Sequence, residues 1–225
     1  NHCNDLKNTF QSVIDQTFRD FEYIVIDGNS DDGSIDLLNR WNNHIDKLII
    51  EEDEGIYDAM NKGLRHASGN LVFFLNAGDV FLGQDVLTNF FQLHYRGTDK
   101  LYLSPVRTDK GRCIMSKYPN LKKRLFLPTY HQGIIYPRYE LLKQQFDTRF
   151  RLAADYHNFV ILSRNLPLVK TNLPMVLYDT NGISSRNKDE VRAELRAIYR
   201  ETGLGIPSIV ALKLLDFIDG LRGRC

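Results

Sequence analysis

The chain has 225 residues, 29 basic and 28 acidic side chains and 43% apolar residues, enough to bury one substantial core. A net charge of +1 removes the global field that would draw a protein to nucleic acid, so any polyanion site must be local. Cys3, Cys113 and Cys225 stand far apart without metal-ligand spacing, which argues against a zinc site or a disulfide framework and for a reducing compartment, the cytoplasm by default.

In chain order, Leu6, Phe10, Val13 and Ile14 predict an amphipathic helix at once. A doubly wound domain opens with a central strand, and none precedes this helix. The expectation is that ~8 to 10 native residues, one interior strand with its start, lie before Asn1. A β-branched and aromatic run at 23–26 predicts a strand that stops at the turn-forming cluster Asp27-Gly28-Asn29-Ser30-Asp31-Asp32-Gly33-Ser34. A helix carrying Ile35, Leu38, Trp41 and Ile45 follows, then a strand at 47–50, a short helix at 56–66 and a strand at 71–75. This βαβαβ alternation predicts a parallel sheet between helices. A helix with Val86, Leu87, Phe90 and Phe91 and a strand at 101–103 continue it. Residues 108–128 are basic and loop-like, and helix signals return at 154–164, 188–200 and 207–221.

Three carboxylates fall at or just beyond strand ends: Asp27, Asp53 and Asp79. Ligands meet an open parallel sheet outside the carboxyl ends of its strands, so these three face one expected crevice. Asp58 and Lys62 sit four apart on one helical face, the spacing of a solvent ion pair. Asp31 and Asp32 suit turn and cap chemistry, and Asp155 stands where a helix N-cap is expected.

The Asp27–Ser34 turn, the block Asp53-Glu54-Gly55-Ile56-Tyr57-Asp58-Ala59-Met60-Asn61-Lys62-Gly63 and Leu75-Asn76-Ala77-Gly78-Asp79 together resemble family 2 glycosyltransferases, the inverting, nucleotide-sugar-dependent enzymes of the GT-A fold. The resemblance runs over about residues 4 to 185 and is weaker between 95 and 128. It implies an α/β class with a Rossmann-like, mostly parallel sheet and flanking helices, an irregular acceptor-side region, and C-terminal helices. The implied division is a transferase domain over 1–185 and a helical extension over 186–225. The resemblance also implies a divalent cation, Mg²⁺ or Mn²⁺, held by Asp79 with Asn76; Gly78 stands where many members carry a further Asp. It puts Asp27 beside the base or ribose, and Asp53, Asn61 and Lys62 on the nucleotide side. Asp155 aligns with the general base of the block Phe146–Asp155, with Asp147 as a lesser candidate. His131 and Gln132 match a position on the acceptor side, and Arg186 or Lys188 could clamp the diphosphate. The implied partners are a nucleotide-sugar donor and a glycan or lipid-linked acceptor.

Two other classes stay open at this level. A sugar-phosphate nucleotidyltransferase shares the sheet and metal but would open on a Gly-rich basic loop, and none is visible. A catalytically silent carbohydrate-binding relative would have no need of Asp27, Asp79 and Asp155 together. No Gly-x-Gly-x-x-Gly follows a strand, which disfavours a dinucleotide oxidoreductase. The apolar 207–221 segment has two readings: packing on the core or on a second subunit, or shallow insertion at the inner face of a membrane, since ~15 residues is too short to span one.

Overall fold

The computed structural model describes residues 3–115, 129–178 and 187–204. Helix α1 (Cys3–Ile14) leads into strand β1 (Ile24–Asp27), helix α2 (Ser34–Arg40), strand β2 (Lys47–Ile50), helix α3 (Ile56–His66) and strand β3 (Leu71–Phe73). Strand β4 (Val80–Phe81), helix α4 (Val86–Asn89) with a π-helical continuation (Phe90–His94), and strands β5 (Leu101–Leu103), β6 (Val106–Thr108) and β7 (Cys113–Ile114) follow. The second half carries strand β8 (Ile134–Pro137), helix α5 (Arg138–Gln144), helix α6 (Ala154–Asn165), strands β9 (Leu168–Lys170) and β10 (Val176–Tyr178), and helix α7 (Lys188–Thr202).

The expected α/β class holds, but the single parallel array read from βαβαβ is corrected. Among the described residues the strands divide into a parallel pair β1-β2, a sheet β3-β8-β5-β9 and a sheet β4-β10-β6-β7. Strand β3 pairs antiparallel with β8, Val72 opposite Tyr136, rather than with β1 or β2. Strand β8 could not be foreseen, because all four of its residues are buried and a strand covered on both faces shows no alternation. A second correction concerns the cysteines: Cys113 on β7 is disulfide-bonded.

Three apolar clusters hold the elements. Phe10 of α1 and Leu38 of α2 pack with Ile45 beside β1, with the Phe10 ring 4.0 Å from Trp41. Val86, Phe90, Tyr102, Ile135 and Val176 fill one face of the β5-β8 sheet. The largest cluster lies on the other face, where Tyr57, Met60 and Leu64 of α3 meet Leu101, Leu103, Ile134 and Tyr136. Phe159 and Val160 of α6 and Ile198 and Tyr199 of α7 close the same cluster. Helix α7 is thus part of the central core, with Ile198 and Tyr199 both 0% exposed. Among the described residues no helix is long and apolar enough to cross a membrane; the 207–221 segment, on which the membrane and dimer readings rest, lies outside them.

Candidate active site

Helix α3 is the organising element because it follows the Asp53 loop and then runs under the second half of the chain. A Cβ on Gly28 would overlap the Asp53 carboxylate, so the turn after β1 packs directly against the Asp53 side chain of the loop after β2. Asp27 is buried and its Oδ1 accepts the amide of Ser30 at 2.7 Å. Asp53 Oδ1 accepts the amide of Gly55 at 2.9 Å. The Asp53 carboxylate thus lies against the turn that follows Asp27, and each of the two carboxylates organises its own turn.

The strand end after β3 makes a second cluster. Asp79 is 3% exposed; its Oδ2 accepts the Gln132 side-chain amide at 2.8 Å and the Asn76 backbone amide at 3.3 Å. Gly78, where the resemblance led one to look for another Asp, has φ +102°, a conformation that strains any side chain. Its amide donates to Thr9 Oγ1 at 2.8 Å, which ties the loop to α1. Asn76 Nδ2 lies 3.2 Å from His131 Nε2. His131 Nδ1 in turn lies 3.4 Å from Asp155 Oδ2. Asp155 Oδ1 accepts the Tyr57 hydroxyl at 3.0 Å and the amide of Tyr156 at 2.8 Å.

A continuous polar chain therefore runs Tyr57, Asp155, His131, Asn76, and the next residue after His131 holds Asp79. His131 and Gln132, expected on the acceptor side, sit between the candidate base and the candidate metal carboxylate. Burial pushes the Tyr57 phenol well above its usual range, and the Asp155 charge adds to the effect, so Tyr57 stays a donor to that carboxylate. Tyr136 is also wholly buried, its phenol pushed up by burial and by Asp155, and its hydroxyl has no protein partner.

Asn61 has another job than the one expected of it. Its amide donates to the Phe146 carbonyl at 2.8 Å and its carbonyl accepts the Phe146 amide at 2.8 Å, so both ends are committed to tying α3 to the strap before α6. Lys62 donates to the Glu52 carbonyl and pairs with Glu51 at 3.3 Å and Asp58 at 3.4 Å, the ion pair that its spacing allowed. Lys62 thus braces the loop after β2, while Asn61 braces the strap before α6. Asp147 is held by Arg149 at 2.6 Å, which lowers its carboxyl below the usual range. Arg186 lies outside the described residues, and Lys188 begins α7.

A hard divalent cation on a diphosphate needs oxygen donors and one or two carboxylates, the phosphates supplying the rest. Asp79 offers the carboxylate, and beside it Gln132 Oε1 is a buried oxygen with no protein partner. That donor set fits an ion carried largely by its substrate. It is not an all-protein cage: among the described residues no three His, Cys, Asp or Glu side chains are grouped to hold a metal. A cavity of about 220 Å³ beside Ile14, Arg19, Tyr23 and His44 contains none of these residues.

Comparison with known proteins agrees with the fold. The chain is 28% identical over 209 residues to a PGL/p-HBAD biosynthesis glycosyltransferase of Mycobacterium bovis, covering 89% of this chain and 81% of that protein. It is 35% identical over 77 residues, 33% of the chain and 31% of the other protein, to the putative teichuronic acid biosynthesis glycosyltransferase TuaG of Bacillus subtilis. Among solved structures, the mannosyltransferase PcManGT from Pyrobaculum calidifontis, in complex with GDP-Man and Mn²⁺, superposes with a TM-score of 0.70 at 19% identity, over 92% of this chain. S. aureus TarS 1-349 in complex with UDP does so with a TM-score of 0.68 at 18% identity, over 92% of this chain. The chain spans 63% and 64% of those two solved chains, and at such identities they show the fold, which is the expected GT-A. The family model for glycosyl transferase family 2 matches residues 1–151, about two thirds of the sequence, and the chain belongs to that family.

Proposed function

We propose that the protein is a metal-dependent, inverting glycosyltransferase that moves a sugar from a nucleotide sugar to a hydroxyl of a glycan or lipid-linked acceptor. The observation that carries the reading is the Asp155 carboxylate, gripped at Oδ1 by Tyr57 and facing His131 through Oδ2. One positioned carboxylate suffices for a single displacement. As the acceptor oxygen bonds to the anomeric carbon, its proton passes to Asp155, the bond from that carbon to the phosphate oxygen breaks, and the nucleoside diphosphate leaves with the bonding pair. Asp27 and Asp53 are assigned to the base and ribose. Asp79 and Asn76 would hold the cation, whose charge offsets that of the departing diphosphate.

Relatives lend the substrate class. PcManGT was solved in complex with GDP-Man and Mn²⁺ and TarS with UDP-GlcNAc, so a UDP- or GDP-sugar is the donor class to examine, and TuaG, named for teichuronic acid biosynthesis, supports a glycan acceptor. Work on the cytoplasmic side would follow from such a donor. The test is a thermal-shift panel of UDP- and GDP-sugars with and without Mn²⁺, because a ligand bound only by the native state raises Tm, followed by transfer to a soluble acceptor and NMR of the product anomer. Inversion and a Mn²⁺-dependent shift are expected. Retention, or nucleotidyl transfer from a triphosphate, would overturn the reading.

A further inference from the structure

Helix α6 carries Asp155 in its second position, yet the residue before it, Ala153, gives the helix no side-chain cap. The need is met from far along the chain. Glu194 of α7 directs its carboxylate at three successive amides just ahead of α6: Oε1 accepts Arg151 N at 2.8 Å, and Oε2 accepts Leu152 N and Ala153 N, each at 2.9 Å. A carboxylate that takes several backbone amides fixes the path of that backbone, and it sits well against the positive end of a helix. The path fixed here delivers Asp155 between Tyr57 and His131.

The family model ends at residue 151, so both the candidate base and this clamp lie beyond it. We propose that Glu194 is a positioning residue for Asp155, which makes α7 a working part of the transfer site. The proposal rests on reading Asp155 as the base. Other bonds keep α7 docked when Glu194 is changed: Arg149 pairs with Glu201 at 3.2 Å, Arg164 donates to the Thr202 carbonyl, and the Tyr156 and Tyr199 rings meet edge-on at 5.9 Å. The clamp can therefore be removed without removing the helix.

The experiment compares Glu194→Ala, Glu194→Gln, Asp155→Asn and the double variant Glu194→Ala/Asp155→Asn in the full chain. Donor affinity is read by thermal shift with Mn²⁺, and kcat and KM by transfer to a soluble acceptor. Misplacement of a reacting group by ~1 Å costs up to about a hundredfold, so Glu194→Ala is expected to lower kcat about tenfold to a hundredfold while donor KM moves by less than about twofold. Glu194→Gln keeps one acceptor oxygen for Leu152 N and Ala153 N but turns an NH2 group toward Arg151 N, so it is expected to recover only part of that loss. In the double variant the loss is expected to equal that of Asp155→Asn alone, because a clamp that acts through Asp155 has nothing left to position. Three results overturn the proposal: unchanged kcat in Glu194→Ala, a parallel collapse of donor affinity and kcat, or additive losses in the double variant. Unchanged turnover in Asp155→Asn overturns the base assignment itself, an arm independent of the Glu194 variants.

Discussion

Asp155 and Tyr57 divide the work of one hydrogen bond, and the two can be separated by substitution. Asp155→Asn is expected to leave the donor-induced Tm shift intact and to lower kcat by about 10² to 10⁴, the usual worth of a positioned base. Tyr57→Phe keeps the ring against Phe146, 5.6 Å away, and deletes only the donor to Oδ1. A hydrogen bond to a charged group is worth ~1.5 to 3 kcal/mol, so kcat is expected to fall at least about tenfold with donor KM unchanged; equal turnover in steady-state assays would remove Tyr57 from the site. Asp79→Asn is expected to act on the other limb, raising the Mn²⁺ concentration needed for donor binding in a titration. The positions of Asp27 and Asp79 at strand ends were legible because a turn-forming Asp closes each apolar run, although turn chemistry alone also puts an Asp there. The role of Tyr57 was not, since its partner lies 98 residues away and the ring reads as core by periodicity. The bonds of Asn61 to the Phe146 backbone, 85 residues on, were equally hidden from the motif that placed it on the nucleotide side.

Helices α1, α3 and α7 were legible close to their observed bounds, since each presents an apolar face at helical spacing over 11 or more residues; α6, buried on most sides, was read from its apolar run. Strands β8, β9 and β10 were not, being three or four residues long with no alternation to expose them. Helix α6 also carries a pH response. His157 is 6% exposed against the Phe150 ring at 4.9 Å. Burial lowers its affinity for a proton below the usual value, while Asp147 and Glu201 act the other way and Arg149 with it. The unfolded chain then binds this proton more readily than the fold does, so stability is fully present above the unfolded value near pH ~6.5. It is lost as pH falls from there through the lower folded value. His157→Phe removes the titration while keeping an aromatic ring at the site. Urea unfolding at pH 7.5 and 5.5 is expected to show a larger acid loss in the parent protein than in the variant; equal losses would mean that His157 accepts its proton in place.

At the scale of the whole molecule, the boundary read after residue 185 from the fading of the resemblance meets a core that does not stop there. Ile198 and Tyr199 are fully enclosed in the same cluster as Tyr57 and Leu141, and Glu194 and Glu201 bind the strap before α6. Resemblance follows residues that touch common substrates, whereas packing follows volume, so the end of a motif pattern is a poor guide to the end of a domain. Burying two such side chains contributes about 1.5 to 3 kcal/mol each. A domain holds only about 5 to 15 kcal/mol in all. Ending the chain at residue 185 would remove that contribution and expose the apolar faces of α6 that α7 covers. A chain of residues 1–185 is therefore expected to lack a cooperative thermal transition. A chain of residues 1–204, which retains α7, is expected to keep one. Calorimetry on the two purified chains decides: a cooperative transition of full enthalpy in the shorter chain would make α7 an appendage to the stability of the core.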